Sequence, residues 1–251
     1  MDALVREDIF RFKKFEIHQD QCMMKVCTDG VLLGSWARID GVSTGLDIGT
    51  GSGVIALMLA QRSEDQRDGH SPGMQILGVE IEESSYQQAC ENIAHSHWSQ
   101  RLEMVHSSVQ KFMDQTDKTF DLIISNPPFF TGGTLSESQT RNDVRHTVKL
   151  PHNDLLRAVK KLMSPKGHFS VILPMMEGYR FIELAEQYRL YLSRKTQVYS
   201  RPGKPMERLL LEFSHQDGSR VEVDDLYIHP EKGNGFSPEY QKLTGEFYLN
   251  F

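Results

Sequence analysis

The stretch LDIGTGSG, Leu46–Gly53, decides the fold expected for this chain of 251 residues. It ends the apolar run STGLDIG and precedes the helix-period segment VIALMLAQR. Glycines at alternate positions between a strand and a helix let the backbone turn sharply towards a ligand, and the first N–H groups of the helix lack intrahelical partners. We therefore expect Asp47, Gly49, Gly51 and Gly53 to form a ligand-binding loop. Because Gly-rich turns also occur without a ligand, this pattern alone is weak evidence.

Near-continuous apolar runs alternate with helix-period segments beyond this loop. The runs MQILGVEI, LEMVH, FDLIIS and GHFSVILP cover 74–81, 102–106, 120–125 and 167–174. Such runs are typical of strands buried on both faces, and their alternation with helices indicates a parallel sheet. Two later β-type runs, YLSRKTQVYSR and ERLLLEFSH, flank PGKP and predict a hairpin. The predicted fold class is α/β, a Rossmann-like doubly wound seven-stranded sheet, mostly parallel with a C-terminal antiparallel hairpin.

Composition and charge narrow the class of protein. No apolar run approaches the roughly 20 residues that span a bilayer, and MDALVREDIF lacks secretory-signal features, so we expect a cytoplasmic protein without a membrane partner. The three cysteines have no zinc or disulfide spacing, and no metal is expected. The net charge of −6 argues against non-specific binding to nucleic acid. Residues 154–208, however, carry eleven Lys/Arg against five Asp/Glu. This basic region is either a set of solvated helix faces or the footprint of a polyanionic partner.

The run MQILGVEI has an acid, Glu80, near its end, in GVEIEE. A carboxylate at this place can accept both hydroxyls of a ribose, although an acid here can also simply begin the next helix. The glycine spacing is tighter than a dinucleotide fingerprint. It better suits a ligand with an ammonium and a carboxylate end, such as the methionine part of S-adenosylmethionine.

The stretch SNPPFF follows the run that ends at Ser125. The Asn126 side-chain carbonyl and the Pro127 backbone carbonyl can accept the two hydrogens of a planar exocyclic amine, whose lone pair is delocalised and weakly nucleophilic. Pro128 stiffens the turn, and Phe129 offers a face on which a flat base can stack. Catalysis would then rest on positioning and electrostatics. The alternative is a rigid turn with a buried phenylalanine.

The glycine loop, the acid and NPPF, in this order, resemble the class I S-adenosylmethionine-dependent methyltransferases over about 28–174. The resemblance implies that Ser108 and Val109 border the adenine of the cofactor and that Asn126 also adjoins the cofactor. Ser108 stands where an aspartate is common in these enzymes. The motif [DNS]-P-P-[YFW] implies methylation of an amino group of adenine, guanine, cytosine or a glutamine side chain.

Other stretches resemble one bacterial family, the tRNA1(Val) (adenine(37)-N6)-methyltransferases. They are KVCTDGVLLGSWA, RNDVRH, RPGKPMERLLLEF and LTGEFYL, which extend the match to nearly the whole chain. The resemblance implies that Thr28 and Asp29 lie over the cofactor and that the partner is a tRNA, bound at its anticodon loop. The substrate is then adenosine 37.

The expected substrate contacts lie in the loop 131–147 and in the basic region. The loop follows NPPF directly, is rich in Gly, Ser and Thr, and is placed to close over an inserted base while its cations meet phosphates. Each of these cations can also be an ordinary solvated charge. The predicted substrate-binding residues, besides Phe129, are Arg141, Arg145, His146, Lys204 and Arg208.

Three competing functions stay open at this level: a protein glutamine N5-methyltransferase, an rRNA guanine-N2 methyltransferase, and a non-catalytic binding module. The intact Asn126 and glycine loop weigh against the last. We expect residues 1–40 to be an N-terminal lead-in covering the cofactor site and residues 41–215 to be the class I methyltransferase domain. Residues 216–251 are expected to be an extension packed on that domain, with a short strand near SRVEV.

Overall fold

The computed structural model describes residues 8–65, 73–128, 150–218 and 220–250. The strands are β1 (Ile9–Arg11), β2 (Glu16–His18), β3 (Thr44–Ile48), β4 (Gln75–Glu80), β5 (Leu102–His106), β6 (Phe120–Ser125), β7 (Met163–Pro174), β8 (Tyr191–Tyr199), β9 (Met206–Ser214) and β10 (Glu222–Tyr227). The α-helices are α1 (Thr28–Trp36), α2 (Val54–Asp65), α3 (Glu83–Ala94), α4 (Val109–Gln115), α5 (His152–Leu162), α6 (Met175–Gln187) and α7 (Pro238–Thr244).

Eight strands form the main sheet in the order β10-β8-β9-β7-β6-β3-β4-β5. Only β9 runs antiparallel to its neighbours, β7 and β8. The chain proceeds outward from β3 through β4 to β5 and then returns to β6 on the other side of β3. This change of direction opens a crevice at the carboxyl ends of β3 and β6, where doubly wound sheets bind ligands. The glycine loop follows β3 and the NPP motif follows β6, so the topology brings both motifs to one place.

The prediction of a mostly parallel α/β sheet with a C-terminal antiparallel hairpin is confirmed. The predicted number of seven strands is exceeded by one, because the short strand expected near SRVEV joins the same sheet as β10. It pairs with β8 in parallel, from Glu222 opposite Arg194 to Tyr227 opposite Tyr199. Without β10, the side of β8 that faces away from β9 would have unpaired N–H and C=O groups, and pairing with β10 satisfies them.

Two apolar layers cover the sheet. On one face, residues of α1 and α2 pack with Ile76, Ile124 and Leu210 of the strands. On the other face, residues of α4, α5 and α6 pack with Leu46, Ile123 and Leu211 of the strands. Helix α5 illustrates why the chain folds in this way, since its five buried residues recur at helical spacing and its two last-turn lysines favour the helix C-terminus.

The two ends of the described chain pack on each other. The Lys13 N–H donates to the Phe247 carbonyl at 2.9 Å, and the rings of Phe12 and Phe247 meet edge to face at 6.2 Å. Phe12 and Phe247 both belong to the layer that contains α1 and α2. We propose that the chain divides into an N-terminal lead-in, 1–40, a main domain, 41–215, and a C-terminal extension, 216–251.

Candidate active site

A cavity of about 390 Å³ opens at the carboxyl ends of the central strands. Its volume lies within the range usual for small-molecule sites, roughly 300–1,000 Å³. Six of the residues that the sequence predicts as cofactor contacts line it: Gly49, Gly51, Glu80, Ser108, Val109 and Asn126. The fold therefore gathers contributions from the ends of β3, β4, β5 and β6 around a single space.

The glycine loop needs its glycines for conformation. Gly49, Gly51 and Gly53 have φ values of +74°, +57° and +82°, which side chains of L-residues rarely adopt. A Cβ atom on Gly49 or Gly51 would meet no heavy atom within 4 Å, so their backbone borders open space. Gly53 lies instead against α3, because a Cβ there would come within 3.5 Å of Ala89 Cβ. Gly53 does not line the cavity, and the structure gives it a packing contact.

Asp47 lies beneath the loop and is fully buried. Its Oδ2 accepts a hydrogen bond of 2.6 Å from the Thr50 hydroxyl, while Oδ1 has no hydrogen-bond partner among the described residues. Burial raises the pKa of Asp47 to about 7; the Thr50 hydroxyl opposes this shift and the nearby Glu80 carboxylate adds to it. Asp47 does not line the cavity, and it contacts the glycine loop through Thr50.

Glu80 ends β4 and is held rigidly by backbone N–H groups. Gly51 donates to Oε2, and Ile81 and Glu82 donate to Oε1, each at 2.9 Å. A carboxylate has about four lone-pair sites, so one site on Oε2 stays available for a ligand hydroxyl. The predicted grip on both ribose hydroxyls remains a prediction, and this geometry leaves room for one of them at the carboxylate.

Ser108 and Val109 start α4 at the end of the cavity that β5 forms. The Ser108 hydroxyl accepts the Lys111 N–H at 3.2 Å and so caps the helix. This cap uses one lone pair of the hydroxyl, and the second remains available to an adenine amine. Val109 is buried and presents an apolar surface. The contacts of Ser108 and Val109 with the adenine stay a prediction.

Sequence reasoning missed two methionines at the mouth of the cavity. Met23 and Met24 line it and are 67% and 50% exposed. Their segment is tied to α3, because the Gln21 N–H donates to Gln88 Oε1 and the Ser84 hydroxyl donates to the Gln21 carbonyl. A pair of large apolar side chains within the polar stretch DQCMMK was the available signal, and its place over the cavity depends on these distant contacts.

Asn126, which directly follows β6, lines the cavity. Its Oδ1 is buried and has no hydrogen-bond partner among the described residues, whereas Nδ2 lies 3.9 Å from Cys27 Sγ. A buried carbonyl oxygen without a partner is costly, and a ligand amine that donates to it would remove the cost. Pro127 and Pro128 also line the cavity. Phe129, the predicted stacking partner, lies outside the described residues.

Thr28 and Asp29 begin α1 but do not line the cavity. A Cβ on the next residue, Gly30, would stand 3.9 Å from Asn126 Nδ2, so this helix start lies beside the site. Asp29 Oδ2 accepts from Arg208 Nε at 2.9 Å, and both side chains are largely buried. Asp29 was predicted to contact the cofactor and Arg208 the substrate, and in the structure they form an ion pair with each other.

The other predicted substrate contacts lie apart from this ion pair. Lys204 is exposed in the turn between β8 and β9. Arg141, Arg145 and His146 lie outside the described residues. Within the described ranges no group of three His, Cys, Asp or Glu side chains converges to hold a metal ion, and none of the helices there is long and apolar enough to cross a membrane.

We predict that Glu80→Gln weakens the binding of S-adenosylhomocysteine by roughly ten- to a hundredfold, the worth of a charge-assisted hydrogen bond. The glutamine side chain has one oxygen and one NH₂ group in place of the two carboxylate oxygens. In either orientation its NH₂ group faces a backbone N–H, so at least one of the hydrogen bonds from Gly51, Ile81 and Glu82 is lost. Isothermal titration calorimetry measures the change. Glu83→Gln, an exposed neighbour in the first turn of α3, is the control and should leave the affinity unchanged. Equal weakening by both variants would contradict the assignment.

Comparisons with known proteins agree with this geometry. A family model described as a methyltransferase domain matches residues 40–199. A predicted O-methyltransferase from Agrobacterium tumefaciens shares the fold with a TM-score of 0.66 at 19% identity, over 87% of this chain and 96% of that one. The predicted Rossmann-like methyltransferase fold is thereby confirmed.

Two relatives are similar over nearly their whole length. The tRNA1(Val) (adenine(37)-N6)-methyltransferase of Histophilus somni (strain 2336) is 40% identical over 99% of this chain and 100% of its own. The protein of the same name from Trichodesmium erythraeum (strain IMS101) is 42% identical over 96% of this chain and 98% of its own. These values confirm the predicted family resemblance and, with it, a methyltransferase that uses S-adenosylmethionine. The chain belongs to the tRNA1(Val) (adenine(37)-N6)-methyltransferase family.

Proposed function

We propose that this protein transfers a methyl group from S-adenosylmethionine to the N6 amine of an adenine in tRNA, adenosine 37 of tRNA1(Val). One observation carries the proposal: Asn126, whose buried Oδ1 has no hydrogen-bond partner among the described residues, lines the same cavity as Glu80 and the glycine loop. The name of the relatives supports the choice of nucleotide. The tRNA would be bound at its anticodon loop.

The residues of the cavity fit the cofactor. The backbone of Gly49 and Gly51 borders open space, Glu80 keeps one acceptor site, and Val109 and Ile81 provide apolar walls. When bound, S-adenosylmethionine supplies an electrophilic methyl group on a sulfonium. The chain's part is to hold the ribose side at Glu80, to offer a negative environment through Asp47, and to exclude water with apolar walls.

The acceptor amine is the chemical difficulty. Its nitrogen lone pair is delocalised into the ring, so the nitrogen attacks well only when it is oriented towards the methyl group. Asn126 Oδ1 and the Pro127 carbonyl accept its two hydrogens and fix that orientation. As the bond between the nitrogen and the methyl carbon forms, the bond between that carbon and the cofactor sulfur breaks, and S-adenosylhomocysteine is the leaving group. The amine acquires positive charge, which the two oxygens stabilise until one proton leaves to solvent. No strong general base is required in this scheme.

We also infer a cytoplasmic enzyme. Cys22, Cys27 and Cys90 are all free thiols. Free thiols suit a reducing compartment, and tRNA is available there.

A labelled-methyl assay tests the proposed function. The purified protein is incubated with methyl-labelled S-adenosylmethionine and tRNA from cells that lack this modification, and the tRNA is digested to nucleosides. We expect the label in N6-methyladenosine. Label found only in a protein release factor would favour a glutamine N5-methyltransferase, and label found only as methylguanosine would favour a guanine-N2 methyltransferase. Either result would overturn the proposal.

The raised pKa of Asp47 predicts how cofactor binding depends on pH. Its carboxyl is largely protonated below about pH 7 in the free protein. A cationic ligand favours the carboxylate, so binding lowers the pKa and releases a proton. Affinity for S-adenosylmethionine should therefore rise with pH up to about pH 7, by at most tenfold per pH unit, and level off above that value. Calorimetry in buffers of different ionisation enthalpy counts the released protons.

Asp47→Asn is the control for this pH effect, because the amide cannot titrate but can still accept from Thr50. Its affinity should be nearly flat over the same range. A wild-type affinity that does not change between pH 6 and 8, or an equal slope in the variant, would contradict the role given to Asp47.

A further inference from the structure

Strands β8 and β10 share a face with aromatic and basic side chains that the reaction site does not use. Their parallel register sets Lys195 opposite Val223 and Tyr199 opposite Tyr227. Side chains two residues apart on a strand point to the same face, so these residues lie on one side of the sheet. The two tyrosine rings stack with centroids 5.1 Å apart and 26° between their planes.

Helix α6 covers this face only in part. Lys195 Nζ lies 5.5 Å from the ring centroid of Tyr179 on α6, and Tyr179 is 39% exposed. Val223, further out on β10, is 53% exposed. We call the group Tyr179, Lys195, Tyr199 and Tyr227 the tyrosine surface. Lys195, Tyr199 and Tyr227 are half-buried and Tyr179 is exposed, so solvent reaches part of each side chain.

The tyrosine surface reaches the same edge of the sheet as Asn126. Tyr199 and Tyr227 are the last residues of β8 and β10, which run parallel to β6, and Asn126 directly follows β6. Strands β7 and β9 lie between β6 and β8. At about 4.8 Å per strand, β8 lies about 14 Å and β10 about 19 Å from β6 across the sheet. The register sets Ser125 level with Lys195, so Tyr199 lies four residues further along the strand direction. An RNA strand with one base at Asn126 can place neighbouring nucleotides there.

The chemistry of this surface suits unpaired nucleotides. Every base has a π-face that stacks on an aromatic ring, and sheet faces with exposed aromatic rings serve single-stranded RNA in this way. Lys195 lies within the basic region, and Lys204 is exposed in the turn that follows Tyr199. Asp225 is the carboxylate that the register places on this face, and its Oδ1 accepts from Gln197 Nε2 at 2.7 Å.

We propose that the tyrosine surface binds the unpaired nucleotides that flank the methylated adenine in the tRNA loop. Tyr199 and Tyr227 stack on bases, and Lys195 and Lys204 contact phosphates. The inference rests on the proposed function, and it adds a docking surface outside the cavity. Stacking there contributes to binding of the RNA and leaves the chemistry at Asn126 unchanged.

The test is the double variant Tyr199→Ala/Tyr227→Ala, measured in tRNA methylation and in direct binding of a fluorescent anticodon stem-loop. Loss of both rings should raise KM for tRNA and Kd for the stem-loop by about tenfold or more, with kcat within about twofold of wild type. Tyr199→Phe/Tyr227→Phe keeps the rings and should behave as wild type. Tyr227→Leu, which keeps apolar bulk without the flat six-membered ring, replaces the double variant if that one does not fold.

Tyr191→Ala is the matched control, because Tyr191 begins β8 at the opposite edge of the sheet. It should leave KM unchanged. If wild type methylates tRNA and the alanine variants bind the stem-loop as tightly as wild type, the tyrosine surface is not the docking site. If those variants instead change the oligomeric state in sedimentation with RNA affinity unchanged, the surface contacts a second copy of the chain and the inference is overturned. Absence of tRNA methylation by wild type would instead remove the proposed function itself.

Discussion

Asn126→Ala should lower kcat for tRNA methylation by about a hundredfold or more while leaving the affinity for S-adenosylhomocysteine within about threefold of wild type. The variant removes the buried Oδ1 that orients the amine, and it leaves Glu80 with its three backbone contacts. Single-turnover methylation measures the first quantity and calorimetry the second. The asymmetry between the two is the signature of a group that acts on the amine.

Asn126→Asp is the conservative comparison. The aspartate keeps an oxygen acceptor at the same place and should retain at least about ten times the activity of the alanine variant. A kcat near wild type in Asn126→Ala would remove Asn126 from the mechanism. Loss of cofactor affinity equal to the loss of turnover would show that Asn126 serves the cavity instead.

Glu212→Ala should destabilise the protein by about 3–5 kcal/mol, because it leaves a buried guanidinium without its counter-ion. The Glu212 side chain is 3% exposed, and its Oε2 lies 3.1 Å from Arg194 Nη2. The Arg194 guanidinium also stacks on Trp36 at 3.6 Å from the ring centroid. Burial lowers the pKa of Arg194, and Glu212 counters that shift. Thermal unfolding should show a fall in Tm on the order of 10 °C.

Glu222→Ala is the matched control for this ion pair. Glu222 bonds Arg38 at the surface, where its side chain is 57% exposed, and its loss should cost no more than about 1 kcal/mol. The double variant Glu212→Leu/Arg194→Met removes both charges together and should recover most of the stability. Equal destabilisation by Glu212→Ala and Glu222→Ala would contradict the account.

The sequence was most informative where structure depends on local pattern. The strands, the glycine loop and the hairpin follow from apolar runs and turn residues within short windows, and the parallel sheet follows from the alternation of strands with helices. The predicted hairpin joins β8 and β9 as expected. The pairing of β10 with β8 was beyond reach, because parallel pairing between strands separated by another strand in sequence leaves no local signal.

In the candidate site, too, some features have a local sequence signal and others do not. Glu80 and Asn126 could be predicted because the first ends a strand and the second directly follows one, and the topology then brings them together. The three N–H contacts of Glu80 arise from two separate loops, and the ion pair of Asp29 with Arg208 joins residues 179 positions apart. The place of Met23 over the cavity likewise depends on contacts with α3. Side-chain partners of this kind follow from tertiary packing, which single-sequence patterns do not encode.

The most direct test of the central claim uses two transcripts of tRNA1(Val), one with adenosine and one with guanosine at position 37. With methyl-labelled S-adenosylmethionine and the purified protein, the account predicts about one methyl group per molecule of the first transcript, recovered as N6-methyladenosine, and none on the second. Equal labelling of both transcripts, or label in any nucleoside other than N6-methyladenosine, would contradict it.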